Sequence, residues 1–502
     1  MKKRNKFSLS NYRLTTMDMG SLVPIGLTEV LPGDTIQQAT SALVRANPLV
    51  TPVMHPVHVR IHHWFVPFRL IWNEFEDFIT GGPNGTSAPS FPVINLPAAG
   101  GAAVGSLADH LGVPTGVNSL QVSALPFRAY QAIWNENYRD QDLNTEAVVN
   151  LGSGTDTTTS TTLQKVCWEK DYFTSSRPWE QKGAEVTLPL GNAAYVKWDT
   201  YAGGGGVGDN KFVSIQRDNA GLTGARYSDS IGVNTAAMPN NTDSNMYADL
   251  PSATAASIND LRLAFALQRY KEARARYGSR YVEYLRYLGI KSADARLDRP
   301  EYLGGGKQTI QFSEVLSTSN YVAVEASENV PVGAMKGHGI AAMRSNRFRK
   351  FFEEHGYVMT FMSAKPKTIY TQGLPRTFNR RVKEDFFQAE LQHIGSQEVL
   401  NKEIYAAHGT PNGIFGYQDR YDEYRRSESS VSGKMRPGQV YEDWHMARVF
   451  ANAPTLNGSF VESVPTKRNF ADQNDDALLV MANHSIQARR LVAKTGSPLS
   501  GF

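Results

Sequence analysis

The run VHVRIHHWFV, residues 57–66, carries the clearest strand signal in the chain. Its aliphatic side chains alternate with His58, Arg60 and His62, so the two sets would lie on opposite faces of a strand. This alternation predicts a strand with one buried face. Other short runs rich in β-branched and aromatic residues, each bounded by Gly, Pro or Asn, occur at residues 184–190, 308–312, 321–326 and 357–362. The sequence therefore predicts a β-rich protein with many loops.

One long helical pattern interrupts this organisation. The run SINDLRLAFALQRYKEARARYG, residues 257–278, places Leu263, Leu267, Tyr270 and Tyr277 at helical spacing. That spacing predicts a helix with one buried stripe. A second short helix is predicted to follow, so the helical segment would extend to about residue 289.

Composition limits the possible classes of protein. The chain has 502 residues, with 52 Lys and Arg against 48 Asp and Glu, which permits nucleic-acid contact without demanding it. Cys167 is its single cysteine and excludes an intrachain disulfide framework. The most apolar stretch, residues 96–113, is broken by glycines, a proline and Asp109, and it is too polar to span a membrane. The basic N-terminus is not followed by the apolar run of a secretory signal.

Three stretches have the composition of exposed insertions. Residues 81–126 are rich in Gly, Ala and Pro, and residues 151–163 are polar and of low complexity. Residues 191–249 contain glycine and asparagine clusters with little apolar periodicity. A loop of that length is more often functional than accidental when a rigid scaffold holds its ends.

No pattern of catalytic or metal-binding residues is convincing. The sequence has no phosphate-binding loop, nucleophile elbow or His-Glu-x-x-His motif. Four histidines, His55, His58, His62 and His63, could hold a metal ion, but Arg60 interrupts them and a hydrogen-bonding role is favoured. Neighbouring acids such as Glu74, Glu76 and Asp77 lack any sign of the facing geometry that acid–base catalysis needs. We expect no catalytic residue, no metal site and no cofactor.

Both ends of the chain are basic. The N-terminal arm, residues 1–20, carries five cations before its first acid, Asp18, and a second basic cluster follows His484. Flexible basic arms neutralise phosphates without reading sequence, and an aromatic ring adds base stacking. The alternative is a solubilising tail. The candidate nucleic-acid-binding residues are Lys2, Lys3, Arg4, Lys6, Tyr12, Arg13, Arg489, Arg490 and Lys494.

Six long strings occur in the order typical of one protein family. They are FSLSNYRLTTMDMGSLVPIGLTEVLPGDTI (7–36), VMHPVHVRIHHWFVPFRLIWNEFEDFITGG (53–82), DYFTSSRPWEQKG (171–183), SADARLDRPEYLGGGKQTIQFSEVLST (292–318), KPKTIYTQGLPRTFNR (365–380) and FGYQDRYDEYRRSESSVSGKMR (415–436). On these strings the chain resembles the microvirus major capsid proteins, the gokushovirus type in particular. The resemblance covers all but the loops at 84–125, 145–165 and 191–249.

The resemblance implies both a fold and a function. The fold would be a single eight-stranded viral jelly-roll domain over residues 1–502, with long insertions and a helical segment near 257–289. Sixty copies would form a T=1 icosahedral shell around a circular single-stranded DNA genome. Residues 191–249 would form an exposed protrusion at the threefold axes that contacts a host cell-surface receptor. Minor DNA-binding and pilot proteins would be further partners, and the virion would assemble in the bacterial cytoplasm without membrane insertion.

Two other classes of protein fit parts of the sequence. A glycan-binding or glycan-cleaving β-protein would have similar strands, aromatic residues and loops. A nucleic-acid-processing enzyme would fit the basic segments, but no His-x-His pair or nucleotide motif is present. The residue patterns by themselves leave the glycan-binding or glycan-cleaving alternative open.

Overall fold

The mainly β class predicted from the sequence is confirmed. A computed structural model describes residues 4–84, 86–184, 195–198, 246–249, 258–277, 298–318 and 332–494. Strands account for 33% of it and helices for 18%. The chain divides into two compact units, residues 1–182 with 272–502 and residues 183–271.

Sixteen strands lie in the described residues. They are β1 (Asn5–Ser8), β2 (Asn11–Met17), β3 (Val23–Val30), β4 (Thr35–Ala46), β5 (Val57–Pro67), β6 (Val93–Asn95), β7 (Gln121–Ser123), β8 (Tyr195–Trp198), β9 (Met246–Asp249), β10 (Glu301–Leu316), β11 (Met335–Arg344), β12 (Phe348–Phe351), β13 (Gly356–Pro366), β14 (Ser396–Leu400), β15 (Ile414–Asp419) and β16 (Leu478–Arg490). The α-helices of the same residues are α1 (Phe75–Thr80), α2 (Leu107–Leu111), α3 (Leu125–Asn137), α4 (Ile258–Tyr277), α5 (Asn401–Ile404) and α6 (Gly458–Val461).

Ten strands of the larger unit form one curled antiparallel sheet. Its main path has eight strands in the order β1, β16, β4, β11, β10, β5, β13, β3, with β2 also on β16 and β12 on β4. The curl brings β16, next to one end of the path, close to β3 at the other end, because His484 Nε2 lies 2.9 Å from the carbonyl oxygen of Ile25. A large curled antiparallel sheet agrees with the predicted jelly-roll barrel.

The main core lies inside the curl. It combines buried side chains from both ends of the path, among them Ile25, Val59, Met362 and Val480. A second core lies on the other side of β5 and β13, where helix α3 packs against them. Strand β5 is therefore alternately buried at its start and continuously buried from His63 onward.

Two stretches predicted to be exposed insertions are largely exposed, but buried residues anchor each of them. Residues 81–126 contain β6, β7 and α2, and Leu107 is fully buried in the second core. In residues 151–163, the Asp156 carboxylate lies 2.8 Å from Arg128 Nε, and both side chains are fully buried. Burial alone would raise the pKa of Asp156, but hydrogen bonds from Thr159 and Arg128 lower it. A paired carboxylate thus fixes a loop whose composition indicated exposure.

The predicted helix is confirmed over the described residues Ile258–Tyr277, but its predicted buried stripe is wrong. Leu263 is 58% exposed and Tyr270 51% exposed, whereas Ala264 is buried. The predicted second helix and the strands predicted at 184–190 and 321–326 lie outside the described residues, apart from Ala184. Most of the 191–249 insertion also lies outside the described residues. Its described parts are β8 and β9, which pair antiparallel and bring the two ends of the insertion together.

A buried polar network crosses the interior of the curled sheet. His63 on β5 contacts Thr360 Oγ1 and Ser345 Oγ, each at 2.9 Å. His484 Nε2 donates to the Ile25 carbonyl, so its Nδ1 accepts from Thr40 Oγ1 at 2.8 Å. Both rings are therefore satisfied in the neutral form.

Acid should destabilise the fold through its buried histidines. Burial lowers the pKa of His63 to about 3 and those of His55 and His62 to about 4. Because these values lie below the unfolded value near 6.5, the unfolded state binds more protons as pH falls. Stability is full above about pH 6.5 and decreases toward pH 4, by about 1.4 kcal/mol per pH unit for each such histidine. Urea unfolding at pH 7.5, 6, 5 and 4.5 measures this slope.

The matched variants are His63→Gln and His338→Gln, since His338 is exposed. The slope should flatten in the first variant and stay unchanged in the second. An unchanged slope in His63→Gln would contradict the assignment.

Candidate nucleic-acid interface

The basic N-terminus is not a free arm from residue 5 onward. Strand β1 pairs with β16 from Asn5↔Arg490 to Ser8↔Gln487, and β2 pairs with β16 from Asn11↔His484 to Met17↔Leu478. Strand β16 buries every second side chain and offers a free edge to both strands. The two basic ends predicted from the sequence therefore lie side by side in one sheet.

The sheet side opposite the core is open. Every second residue of β1, β2, β4, β11, β12 and β16 projects there, and we call this surface the open sheet face. Its exposed basic, aromatic and large apolar residues are Arg4, Lys6, Tyr12, Leu14, Arg45, Lys336, His338, Ile340, Arg344, Arg349, Phe351, Leu479, Met481 and Arg489.

The open sheet face is strongly cationic in its described part, although Thr16 on β2 donates a hydrogen bond to the Asp476 carboxylate at its edge. It carries seven Lys or Arg side chains, and no strand position directed to this side is Asp or Glu. Arg4, Lys6, Arg349 and Arg489 lie near one end of the strands, whereas Arg45 lies toward the other. Whole-chain charge is nearly balanced, so this separation is a property of the fold.

Exposed aromatic and apolar groups lie between the cations. Tyr12 and Leu14 are each 69% exposed and Met481 is 44% exposed. The strand registers place Tyr12, Asn483, Ser41 and Arg344 in one row across four strands. With strands roughly 4.8 Å apart, Tyr12 and Arg344 are roughly 14 Å apart. The surface can offer a stacking ring and cations to the same extended anion.

The structure divides the residues predicted from the sequence. Arg4, Lys6, Tyr12 and Arg489 lie together on the open sheet face, Lys494 is exposed beyond β16, and Lys2 and Lys3 lie outside the described residues. Arg13 and Arg490 project to the other side of their strands. Arg13 donates to the Asp109 carbonyl oxygen at 3.2 Å, and burial lowers its pKa. The Arg490 guanidinium pairs with buried Asp34 at 2.9 Å.

Sequence reasoning missed the cations contributed by the middle strands, namely Arg45, Lys336, Arg344 and Arg349. The only local signal is their alternation with buried residues, as in the pattern of β11. Alternation marks a half-exposed strand but does not tell which strands are neighbours. The cluster exists because β4, β11, β12 and β16 pair, which is long-range information.

The histidine cluster is separated by the strand geometry. His63 faces the core, His58 and His62 lie on the other side of β5, and His55 contacts the Lys367 carbonyl oxygen at 2.7 Å. Within the described residues, no group of three or more His, Cys, Asp or Glu is arranged to hold a metal ion. The hydrogen-bonding role favoured from the sequence matches these contacts.

Comparison with known proteins identifies the family. The family model of the capsid protein (F protein) matches residues 1–499. The chain belongs to this capsid protein family. It is similar to the capsid protein VP1 of Bdellovibrio phage phiMH2K, with 38% identity over 94% of this chain and 90% of the relative. Similar proteins are VP1 of Chlamydia phage 1, 33% identical over 94% of this chain and 92% of the relative, and VP1 of Spiroplasma virus 4, 33% identical over 91% and 87%.

These matches confirm the resemblance to gokushovirus-type major capsid proteins. The protein is a major capsid protein, its role is structural and its place is the virion, where capsid proteins assemble into a shell. In the described part of the chain, no helix is both long and apolar enough to cross a membrane.

The adjacent residues Arg489 and Arg490 should respond differently to mutation. Replacing Arg490 with Gln leaves the fully buried Asp34 carboxylate unpaired and should lower the free energy of unfolding by roughly 3 kcal/mol. Arg489 is exposed and forms no ion pair within the described residues. The variant Arg489→Gln should therefore change the free energy of unfolding by less than about 0.5 kcal/mol. Urea unfolding of both variants measures the difference. Equal effects would contradict the assignment of opposite faces.

Proposed function

We propose that sixty copies of this capsid protein form a T=1 shell around a circular single-stranded DNA genome, with the open sheet face toward the DNA. The observation that carries the proposal is the cationic face, whose strand positions hold several Lys and Arg and no Asp or Glu. A surface of this kind is electrostatically suited to a polyanion and poorly suited to another protein of mixed charge.

The contacts would be largely independent of base sequence. Lys and Arg neutralise phosphates and release counterions, and Tyr12 offers a ring on which a base can stack for roughly 1–3 kcal/mol. The DNA-contacting residues would include Arg4, Lys6, Tyr12 and Arg489, together with the cations of the middle strands. Lys2, Lys3 and Lys494 would extend this surface at the strand ends. Arg13 and Arg490 would act on the shell's own stability instead.

The insertion 191–249 would form the threefold protrusion that binds a host cell-surface receptor. Its glycine- and asparagine-rich composition suits an exposed tip, and the β8–β9 pair holds its two ends together. We further propose minor DNA-binding and pilot proteins as virion partners, assembly in the bacterial cytoplasm, and no catalytic role.

Particle assembly is the first test. Protein from expressing or infected cells should yield closed particles in cryo-electron microscopy, with a mass that corresponds to sixty subunits. A reconstruction would show whether the open sheet face lines the interior. Protein that is well folded but remains strictly monomeric under all assembly conditions would refute the proposal.

DNA binding should depend on the open sheet face. The variant Arg45→Gln, Arg344→Gln, Arg349→Gln and Arg489→Gln should weaken binding of oligothymidylate and flatten its salt dependence. The slope of log affinity against log salt should decrease by about 0.7 for each phosphate of the single strand that the variant no longer neutralises. Fluorescence anisotropy of the purified protein across salt concentrations measures this slope.

A control variant removes the same charge elsewhere, at exposed positions outside the open sheet face: Arg381→Gln, Lys383→Gln, Arg425→Gln and Lys434→Gln. Its salt slope should equal that of the unmodified protein. Equally weakened binding in both variants would mean that net charge, not this face, controls binding.

Shortening the insertion should separate attachment from assembly. Replacing residues 210–244 with a short linker should leave particles intact by electron microscopy, because the strands at its ends are kept. Adsorption to host cells should be lost. Failure of assembly would show that the insertion builds the shell, and normal adsorption would show that it has no attachment role.

A further inference from the structure

A second cationic site lies on the far side of β5, away from the main core. There Arg60 on β5 is in register with Lys307 on β10 and Ser363 on β13. Beside it lies a cavity of about 260 Å³. We call this the β5 cavity, and its basic and histidine lining residues are Arg60, His62, Arg139, Lys170 and Lys365.

Cations outnumber carboxylates in the β5 cavity. The one carboxylate of its lining, Asp140, already pairs with Lys170 and, at 3.3 Å, with Arg177. Glu169 pairs with Arg60 and lies 3.7 Å from Lys307. Lys365 Nζ donates to the Cys167 carbonyl oxygen at 2.7 Å and forms no ion pair with any described carboxylate. Arg139, a further lining cation, lies 3.9 Å from Glu146, so Lys365 is the lining cation without a carboxylate partner among the described residues. The positive charge is thus only partly balanced by the protein.

Burial first, and neighbouring cations second, lower the pKa values of two residues of the cavity. Burial, together with the nearby Arg60, lowers the pKa of Lys365 to about 8. Burial, then Arg60 and Lys365, lowers the pKa of His62 to about 4. The Cys167 thiol supplies no compensating charge, because burial raises its pKa. An anion in the cavity would relieve this repulsion.

His62 would add a neutral donor. Trp64 Nε1 can only donate, so the Tyr138 hydroxyl accepts from it at 3.0 Å and donates its own proton to His62 Nδ1 at 2.7 Å. The neutral ring therefore carries its proton on Nε2. The lining thus combines a planar guanidinium, an ammonium and an imidazole N–H, the donor types that bind phosphate oxygens.

We infer that the β5 cavity binds a phosphate group. The cavity volume of about 260 Å³ is large enough for one phosphate group and a few water molecules. One water molecule takes about 30 Å³. The group could be inorganic phosphate or part of a nucleotide strand, since both present the same oxygens. The site uses none of the residues of the open sheet face and does not depend on the proposed function.

The test compares phosphate with chloride at equal ionic strength. The melting temperature of the unmodified protein should rise with phosphate concentration and saturate, as expected when a ligand binds only the folded state. Lys365→Gln and Arg60→Gln should each weaken the apparent affinity about tenfold or more, the change expected when one charge-assisted hydrogen bond is removed.

Arg69→Gln is the matched control. The Arg69 side chain is 28% exposed and pairs with Glu354, much as Arg60 is 31% exposed and pairs with Glu169, but Arg69 lies outside the cavity. This variant should retain the full response. No saturable response in the unmodified protein, or the same response in Lys365→Gln, would overturn the inference.

A labelling experiment avoids variants altogether. Acetylation of Lys365 in the unmodified protein, followed by peptide mass spectrometry, should slow when phosphate occupies the cavity. Parallel titrations with thymidine monophosphate and oligothymidylate identify the source. Protection by inorganic phosphate and the mononucleotide alone would assign a small ligand, and stronger protection by the oligonucleotide would assign a strand. Protection by none of the three would refute the site.

Discussion

The arrangement of the sheet depends on one strand near the C-terminus. Strand β16 pairs with β4 from Leu478↔Ala46 to Arg489↔Thr35, and its other edge receives β1 and β2. Strands at both ends of the chain therefore share one ladder, and neither β1 nor β2 has another partner in the main path. Because side chains alternate along β16, the same pairing fixes which residues enter the core and which form the open sheet face.

Polar groups inside the curl restrict the register of the strands. His63 and His484 each have two hydrogen-bond partners on other strands or at strand ends. A shift of the strand register by one residue would leave both rings without these partners and would turn the buried apolar side chains toward solvent. The register of β10 against β5 is restricted in a similar way by Gly305. A Cβ at this position would lie 2.2 Å from the Ile61 carbonyl oxygen. Polar matching and close backbone approach thus specify one pairing among several that hydrophobic burial would allow.

The distribution of basic residues separates stability from recognition. Arginines directed inward, such as Arg128 and Arg490, meet buried carboxylates and would be costly to leave unpaired. Those on the open sheet face remain hydrated and have no carboxylate neighbours on their strands, so their charge is available to a polyanion. Adjacent residues of one strand can therefore have unrelated roles, as Arg489 and Arg490 do.

The sequence by itself determined the family, the mainly β class, the strand at β5 and the helix α4, because long ordered strings and local periodicity are properties of neighbouring residues. It also indicated that both chain ends are basic. Only the tertiary structure decided which cations share a surface, since Arg45, Arg344 and Arg349 come together through pairing of distant strands. It also decided that residues 151–163 are anchored, because the partner of Asp156, Arg128, lies on α3 in a different part of the chain. Local composition cannot report such contacts: an isolated aspartate in a polar loop has the same sequence signature whether it is hydrated or buried.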